Sequence, residues 1–320
     1  MSHPGARNLV VWAAVMAAAM PGATAFAQQQ NLVPSGPAPV LMTVSETLQP
    51  GAEAAHAKLE ADYAAALDAG KGNQFYLGMG AITGTPQIMF LSGYASLQEM
   101  ADVHDQDETT LGETLANLDE QHSATLTGMD TAIWRLRPDL SNPNPANLAT
   151  MRYIDLIHIH VKLGHSAEFA DIFKTYKEGW MKADPNFHFS LYQQVLGAAK
   201  DDSYMLVISV KSLADLDKHY ALVPAYRTSL DEAARKRMLD FESANYDGIE
   251  SNLFVFTPSM SRLPQSWRKQ DPDFWNPKPS APVPAKKADT TKKVDQRIPW
   301  PASKSDWTLA DNHGGGNHAS

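Results

Sequence analysis

The chain has no cysteine among its 320 residues, which excludes disulfides, thiolate metal centres, thiol catalysis and a lipid anchor carried on cysteine. Cations are scarce: 27 Lys and Arg stand against 36 Asp and Glu, a formal net charge of -9. That balance argues against nucleic acid or an anionic membrane surface as the main partner, since both require clustered cations to displace counterions. Beyond the first 27 residues no run of about 18 consecutive apolar residues occurs, so nothing there is expected to span a bilayer. Familiar catalytic motifs are missing too. There is no G-x-S-x-G and no H-E-x-x-H, and "GMGAITG" at 78–84 lacks the Lys-Ser or Lys-Thr of a phosphate loop and falls in a hairpin instead of before a helix.

What remains, 43% hydrophobic and only 20% charged, is enough for one large or two ordinary cores with appendages. Residues 1–27 read as an export signal: Arg7 supplies the positive end, "LVVWAAVMAAAM" the apolar core, and Ala25-Phe26-Ala27 the small-x-small cleavage site. The apolar core is too short for roughly 30 Å of hydrocarbon, so a mature periplasmic or secreted chain beginning at Gln28 is expected, without stable membrane insertion. Residues 28–37 form a polar lead-in, 38–140 and 151–260 two structured blocks, and 141–150, with "SNPNPAN", the linker between them. From 261 to 320 the Pro/Lys-rich composition predicts a disordered tail. That tail holds Trp267, Trp275, Trp300 and Trp307, four of the seven tryptophans, and parts of it are expected to drape on the folded body or on a partner.

The two blocks match each other. A shift of 113 lays Tyr63 on Tyr176, Asn73 on Asn186 and Gly84 on Gly197; a shift of 116 lays "SLQEM" on "SLADL"; a shift of 120 lays Gly128 on Gly248 and Trp134 on Phe254. Each block reads strand, helix, strand, strand, helical region, strand. In the second, residues 151–162 alternate, Ser166 can open a helix whose stripe is Phe169, Ile172, Phe173, Tyr176 and Trp180, and Ser229 with Glu232 reads as a capping box. This is the βαββαβ, or ferredoxin-like, pattern. Both helices of such a unit cover one sheet face, and two units in one chain can close their open faces on each other.

In this element order, in the short loop between first strand and first helix ("PG" or "LGH"), and in the tandem arrangement, residues 38–258 resemble the dimeric α/β-barrel superfamily. Its members include antibiotic-biosynthesis-type monooxygenases, NIPSNAP-like proteins and haem-handling enzymes. The resemblance implies an α+β fold of two ferredoxin-like units packed sheet to sheet, with an interior that binds small apolar molecules or haem. It fixes no single chemistry.

"MRYIDLIHIHVKLGH" at 151–165 carries three histidines. Strand alternation puts Ile157, Ile159 and Val161 under the helices and His158 and His160 on the open face, opposite Ser45 and Thr47 of the first block; His165 lies in the loop beyond. On the next strand His188, Ser190, Tyr192 and Gln194 share the open face. The first and second strands of such a unit lie roughly 9.5 Å apart. A metal needs nitrogen at about 2.1 Å, so no metal is assigned to His158, His160 and His188. The six residues His158, His160, His188, Ser190, Tyr192 and Gln194 are the candidate ligand-binding set, and no cofactor is assigned. Three readings stay open: a small-molecule-binding protein, a cofactor-independent monooxygenase-type or haem-handling enzyme, and a structural or partner-binding envelope protein that uses the tryptophan-bearing tail.

Overall fold

Alternating inward and outward side chains, broken at turn residues, produce eight strands that close on themselves. In the computed structural model, which describes residues 36–198 and 200–276, the first block runs β1 (Val40–Leu48), α1 (Glu53–Ala69), β2 (Leu77–Ala81), β3 (Gln87–Tyr94), α2 (Leu97–Ser123) and β4 (Leu126–Leu136). The second runs β5 (Tyr153–Val161), α3 (Ser166–Ala183), β6 (Phe189–Leu196), β7 (Asp202–Val210), a helical stretch in three pieces, α4 (Leu213–Ala221), α5 (Val223–Ser229) and α6 (Glu232–Asn245), and then β8 (Tyr246–Phe256). The strands form a closed antiparallel barrel in the order β1-β3-β2-β8-β5-β7-β6-β4. Each block thus contributes four adjacent strands with the same internal order. One irregularity corresponds as well: the register shifts at Thr47/Leu48 between β1 and β4, and at His160/Val161 between β5 and β8.

The matched "SLQEM" and "SLADL" segments are helix starts. The Ser96 and Ser212 hydroxyls accept from the backbone N–H of Glu99 and Asp215, satisfying donors that a first helical turn leaves unpaired. The expected capping box at Ser229 and Glu232 does not form. Ser229 instead closes α5 by donating to Tyr226 and Gly179 carbonyls, and Asp231, whose carboxylate accepts from the Ala234 N–H, starts α6. Three residues from Ser229 to Glu232 satisfied the sequence spacing, but α5 was still helical at Ser229.

The alternation sorts the apolar residues into layers. Leu41, Met79, Leu91, Trp134, Ile154, Leu156, Met205 and Phe254 fill the barrel. Ile159, Val161, Phe169, Phe173, Tyr204 and Phe241 form one continuous cluster under the second block's helices, whereas the first block's helices cover two smaller ones. The linker is tied down, not loose: the Ser141 hydroxyl accepts from the Leu191 N–H at 2.9 Å and the Asn142 N–H donates to the Phe189 carbonyl at 3.1 Å, so 141 and 142 extend the edge of β6.

The expectation of a disordered tail from 261 onward fails for its first part. Residues 261–276, with short helices α7 (Gln265–Arg268) and α8 (Pro272–Trp275), strap across one end of the barrel and bury Leu263, Trp267 and Trp275 inside it. Composition suggested disorder, but three large apolar anchors outweigh it. The chain entering the strap passes so close to β2 that a Cβ on Gly78 would lie 2.3 Å from the Met260 carbonyl oxygen, so only glycine fits there. Buried Arg262 donates to Asp68 Oδ1 at 2.7 Å and to the carbonyls of Gly72 (2.9 Å) and Gln74, and stacks over Phe75. Trp300 and Trp307, the expected signal at 1–27 and the rest of the expected tail lie outside the described residues. Among the described residues no helix is long and apolar enough to cross a membrane.

Candidate functional site

The strap does not fill the barrel end completely. Beneath it lies a cavity whose space, mouth included, amounts to about 700 Å³. Its walls come from the inward positions at one end of six strands: Leu41 on β1, Leu77 on β2, Leu91 on β3, Ile154 on β5, Ser190 and Tyr192 on β6, Val207 and Ser209 on β7. Leu263 and Trp267 of the strap roof it, and His188 stands at the start of β6.

Three of the six expected site residues, His188, Ser190 and Tyr192, meet at this cavity. His188 Nδ1 lies 2.7 Å from the Asn144 carbonyl oxygen. A carbonyl can only accept, so Nδ1 carries the proton and Nε2 keeps its lone pair when the ring is neutral. Burial pushes the Tyr192 phenol well above its ordinary pKa, against the hydrogen bond it makes with the Ala38 backbone, so it stays a neutral donor.

The other three lie elsewhere. His158 faces the barrel interior, as alternation predicts, but four residues beyond Ile154, roughly 13 Å along the strand. It stacks on Trp134 with centroids 5.6 Å apart and planes 7° from parallel. Burial, helped by the neighbouring His160, lowers its pKa and holds it neutral, although Glu250 and Asp130 pull the other way. His160, further out, hydrogen-bonds Asp201 Oδ2 through Nδ1 at 2.9 Å, with the Ser203 hydroxyl 3.4 Å away. Gln194, the β6 residue paired with Trp134, donates through its side-chain amide to the Leu196 carbonyl. A sequence shows which residues share a strand face; how far along the strand a cavity opens depends on what plugs its end.

A second concentration of polar groups lies under the first block's helices. Glu46 on β1, His56 and Glu60 on α1 and His122 on α2 each place one donor atom within 4.8 Å of the donors of the other three. His56 Nε2 is 2.8 Å from Glu46 Oε2, and His122 Nε2 is 2.9 Å from Glu60 Oε1. Burial works against protonation of His122, but the Glu60, Glu46 and Asp119 carboxylates outweigh it and raise its pKa. Burial, reinforced by Glu60 and Glu46, raises that of Asp119 in turn. The sequence reading passed these residues over. Only the i,i+4 spacing of His56 and Glu60 on α1 marked them in advance.

No protein-family profile matches the chain, and no curated protein does. Solved structures do resemble it. A provisionally named monooxygenase from Fusobacterium nucleatum aligns at 10% identity over 69% of this chain and 93% of its own, with a TM-score of 0.46. An anthrone oxidase-like protein aligns at 10% identity over 68% and 91%, with a TM-score of 0.42. Chlorite dismutase from Candidatus Nitrospira defluvii aligns at 12% identity over 76% and 99%, with a TM-score of 0.43. Likeness this distant says nothing about activity; the description of this chain as an α+β barrel protein rests on its own strand order.

The superfamily resemblance raises haem as a guest, and the cavity does not suit it. Haem carries two propionates, and among the described residues no Lys or Arg lines the cavity. The lining fits a neutral guest.

Proposed function

We propose that this chain binds a small, neutral, largely apolar molecule in the barrel-end cavity, oriented by His188, Ser190 and Tyr192. The observation that carries the reading is the lining itself: aliphatic side chains from five strands with a few polar groups, His188, Ser190 and Tyr192 at β6 and Ser209 on β7, the usual make-up of a small-molecule site. In this reading the two βαββαβ blocks are a tandem ferredoxin-like duplication whose open faces enclose one interior, and the chain is exported after cleavage behind Ala27. The envelope-partner reading loses ground, since two of the four tail tryptophans are spent inside the barrel.

Protein purified under native conditions is expected to retain one apolar guest per chain, identified by mass spectrometry of a solvent extract. Val207→Phe intrudes on the cavity and is expected to weaken that guest by about tenfold or more, the scale of one methylene misfit in an apolar pocket. A guest retained equally by Val207→Phe would place binding elsewhere and sink the proposal. An enzymatic version of the same site would use His188 Nε2 as proton acceptor. Its mark is His188→Ala, expected to abolish turnover while guest binding persists.

A further inference from the structure

We propose that Glu46, His56, Glu60 and His122 form a binding site for one divalent first-row transition-metal ion, which bolts β1, α1 and α2 together.

The placement is the first argument. Counted from the strand and helix starts, which both differ by 113 between the blocks, Glu46, His56 and Glu60 correspond to Ile159, Phe169 and Phe173. All three of those are buried in the continuous apolar cluster of the second block, and Phe169 and Phe173 touch through their rings. The same architecture is therefore stable with hydrocarbon at these places. The first block instead buries two carboxylates and two imidazoles, a choice that costs desolvation and that apolar replacements would avoid.

The geometry is the second. A closed ion-pair network would align each N–H on an oxygen. His56 does so with Glu46. The buried Nε2 of His122 is shared between two carboxylates: it lies 2.9 Å from Glu60 Oε1, its hydrogen-bonding partner although off the ideal line, and 3.5 Å from Glu46 Oε2. The four donor atoms, brought from β1, α1 and α2, converge on one small volume, as the ligands of a single ion do. Donor separations across the cluster run from 2.8 Å to within 4.8 Å, and ligands about 2.1 Å from a tetrahedral ion are separated by about 3.4 Å.

The donor set selects the ion. Two imidazole nitrogens and two carboxylate oxygens suit zinc, cobalt, manganese or iron(II). Imidazole counts against calcium and magnesium, which take oxygen ligands. Four protein ligands, three of them buried, describe a closed structural site, and His122, on the more accessible side with its side chain 16% exposed, is the point of entry.

Full-length protein without an affinity tag, stripped with chelator, is the material for the test. It is expected to take up one Co²⁺ per chain with a tetrahedral visible spectrum, to exchange it for Zn²⁺, and to unfold at a higher temperature with Zn²⁺ than without. His122→Ala is expected to weaken binding by about a hundredfold or more, beyond what the loss of an outer-shell partner costs. The triple variant Glu46→Ile, His56→Phe, Glu60→Phe, which installs the second block's residues, is expected to fold and to show no zinc-dependent shift in unfolding. No uptake by the wild-type chain would overturn the proposal. So would equal affinity in His122→Ala, since the ion would then sit elsewhere, for instance on His313 and His318. Neither result bears on the barrel-end cavity, which shares none of these residues.

Discussion

Ending the chain at Ser261 is expected to abolish cooperative unfolding, whereas a chain ending at Asn276 serves as the intact reference. The fifteen residues between carry little secondary structure, and their effect comes from what they bury. Trp267 and Trp275 are 2% and 5% exposed, and the Trp275 indole donates to the Ala149 carbonyl at 2.7 Å. Each such tryptophan is worth about 3–5 kcal/mol by truncation to alanine. Leu263 adds a buried aliphatic side chain, and Arg262 donates to the Gly72 and Gln74 carbonyls, which would otherwise be left without that partner in a partly buried loop. Arg152, paired with Asp271 and lying 3.7 Å over the Phe274 ring, holds the far end of the strap. Together these losses reach the scale of a whole domain's stability, about 5–15 kcal/mol. Urea titration followed by circular dichroism checks the expectation, with Trp267→Ala as the milder companion at about 3–5 kcal/mol. A shortened chain that unfolds at the reference midpoint would mean that the strap only rests on the barrel.

That strap shows where composition misleads. Proline and lysine make up 15 of the 59 residues between 262 and 320, so the average points to disorder; the tryptophans, counted singly, were the better signal. Other features were legible because they depend on local periodicity. The inward placement of Ile154, Leu156 and His158, and the outward placement of Ile159 and Val161, follow from alternation along β5 and are found in the barrel and helix-layer clusters respectively. The third strand of each block lies between the first and second, as the βαββαβ order requires. The candidate sites were less legible because they depend on distance along the barrel and across it. His158 and Tyr192 share the interior, but only Tyr192 reaches the cavity. Glu46 and His122 are brought together by β1, α1 and α2, three elements well separated in sequence, and no spacing rule connects them.

Acidification from about pH 7 to about pH 4 is expected to cost the folded chain about 3 kcal/mol through a single residue, His219. Its ring on α4 packs in a three-ring cluster, stacked on Phe187 with centroids 4.0 Å apart and against Trp180 at 4.3 Å. Nδ1 is buried and has no hydrogen-bond partner. Burial penalises the imidazolium and Asp184 only partly compensates, so the pKa falls from 6.5 to about 4. Above the unfolded pKa both states are neutral and the residue contributes no pH dependence. Between that value and about 4 the unfolded chain binds a proton that the folded chain refuses, so stability falls as pH falls across this window. His219→Phe keeps an aromatic ring in the cluster and removes the proton. Urea unfolding of both proteins at the two pH values gives the test: the gap between variant and wild type should widen by about 3 kcal/mol on acidification. Other buried groups with shifted pKa values, including Asp155, His122 and His158, titrate in both proteins and cancel in the difference. A gap that stays constant would show that the ring meets water in the folded chain and takes up its proton there.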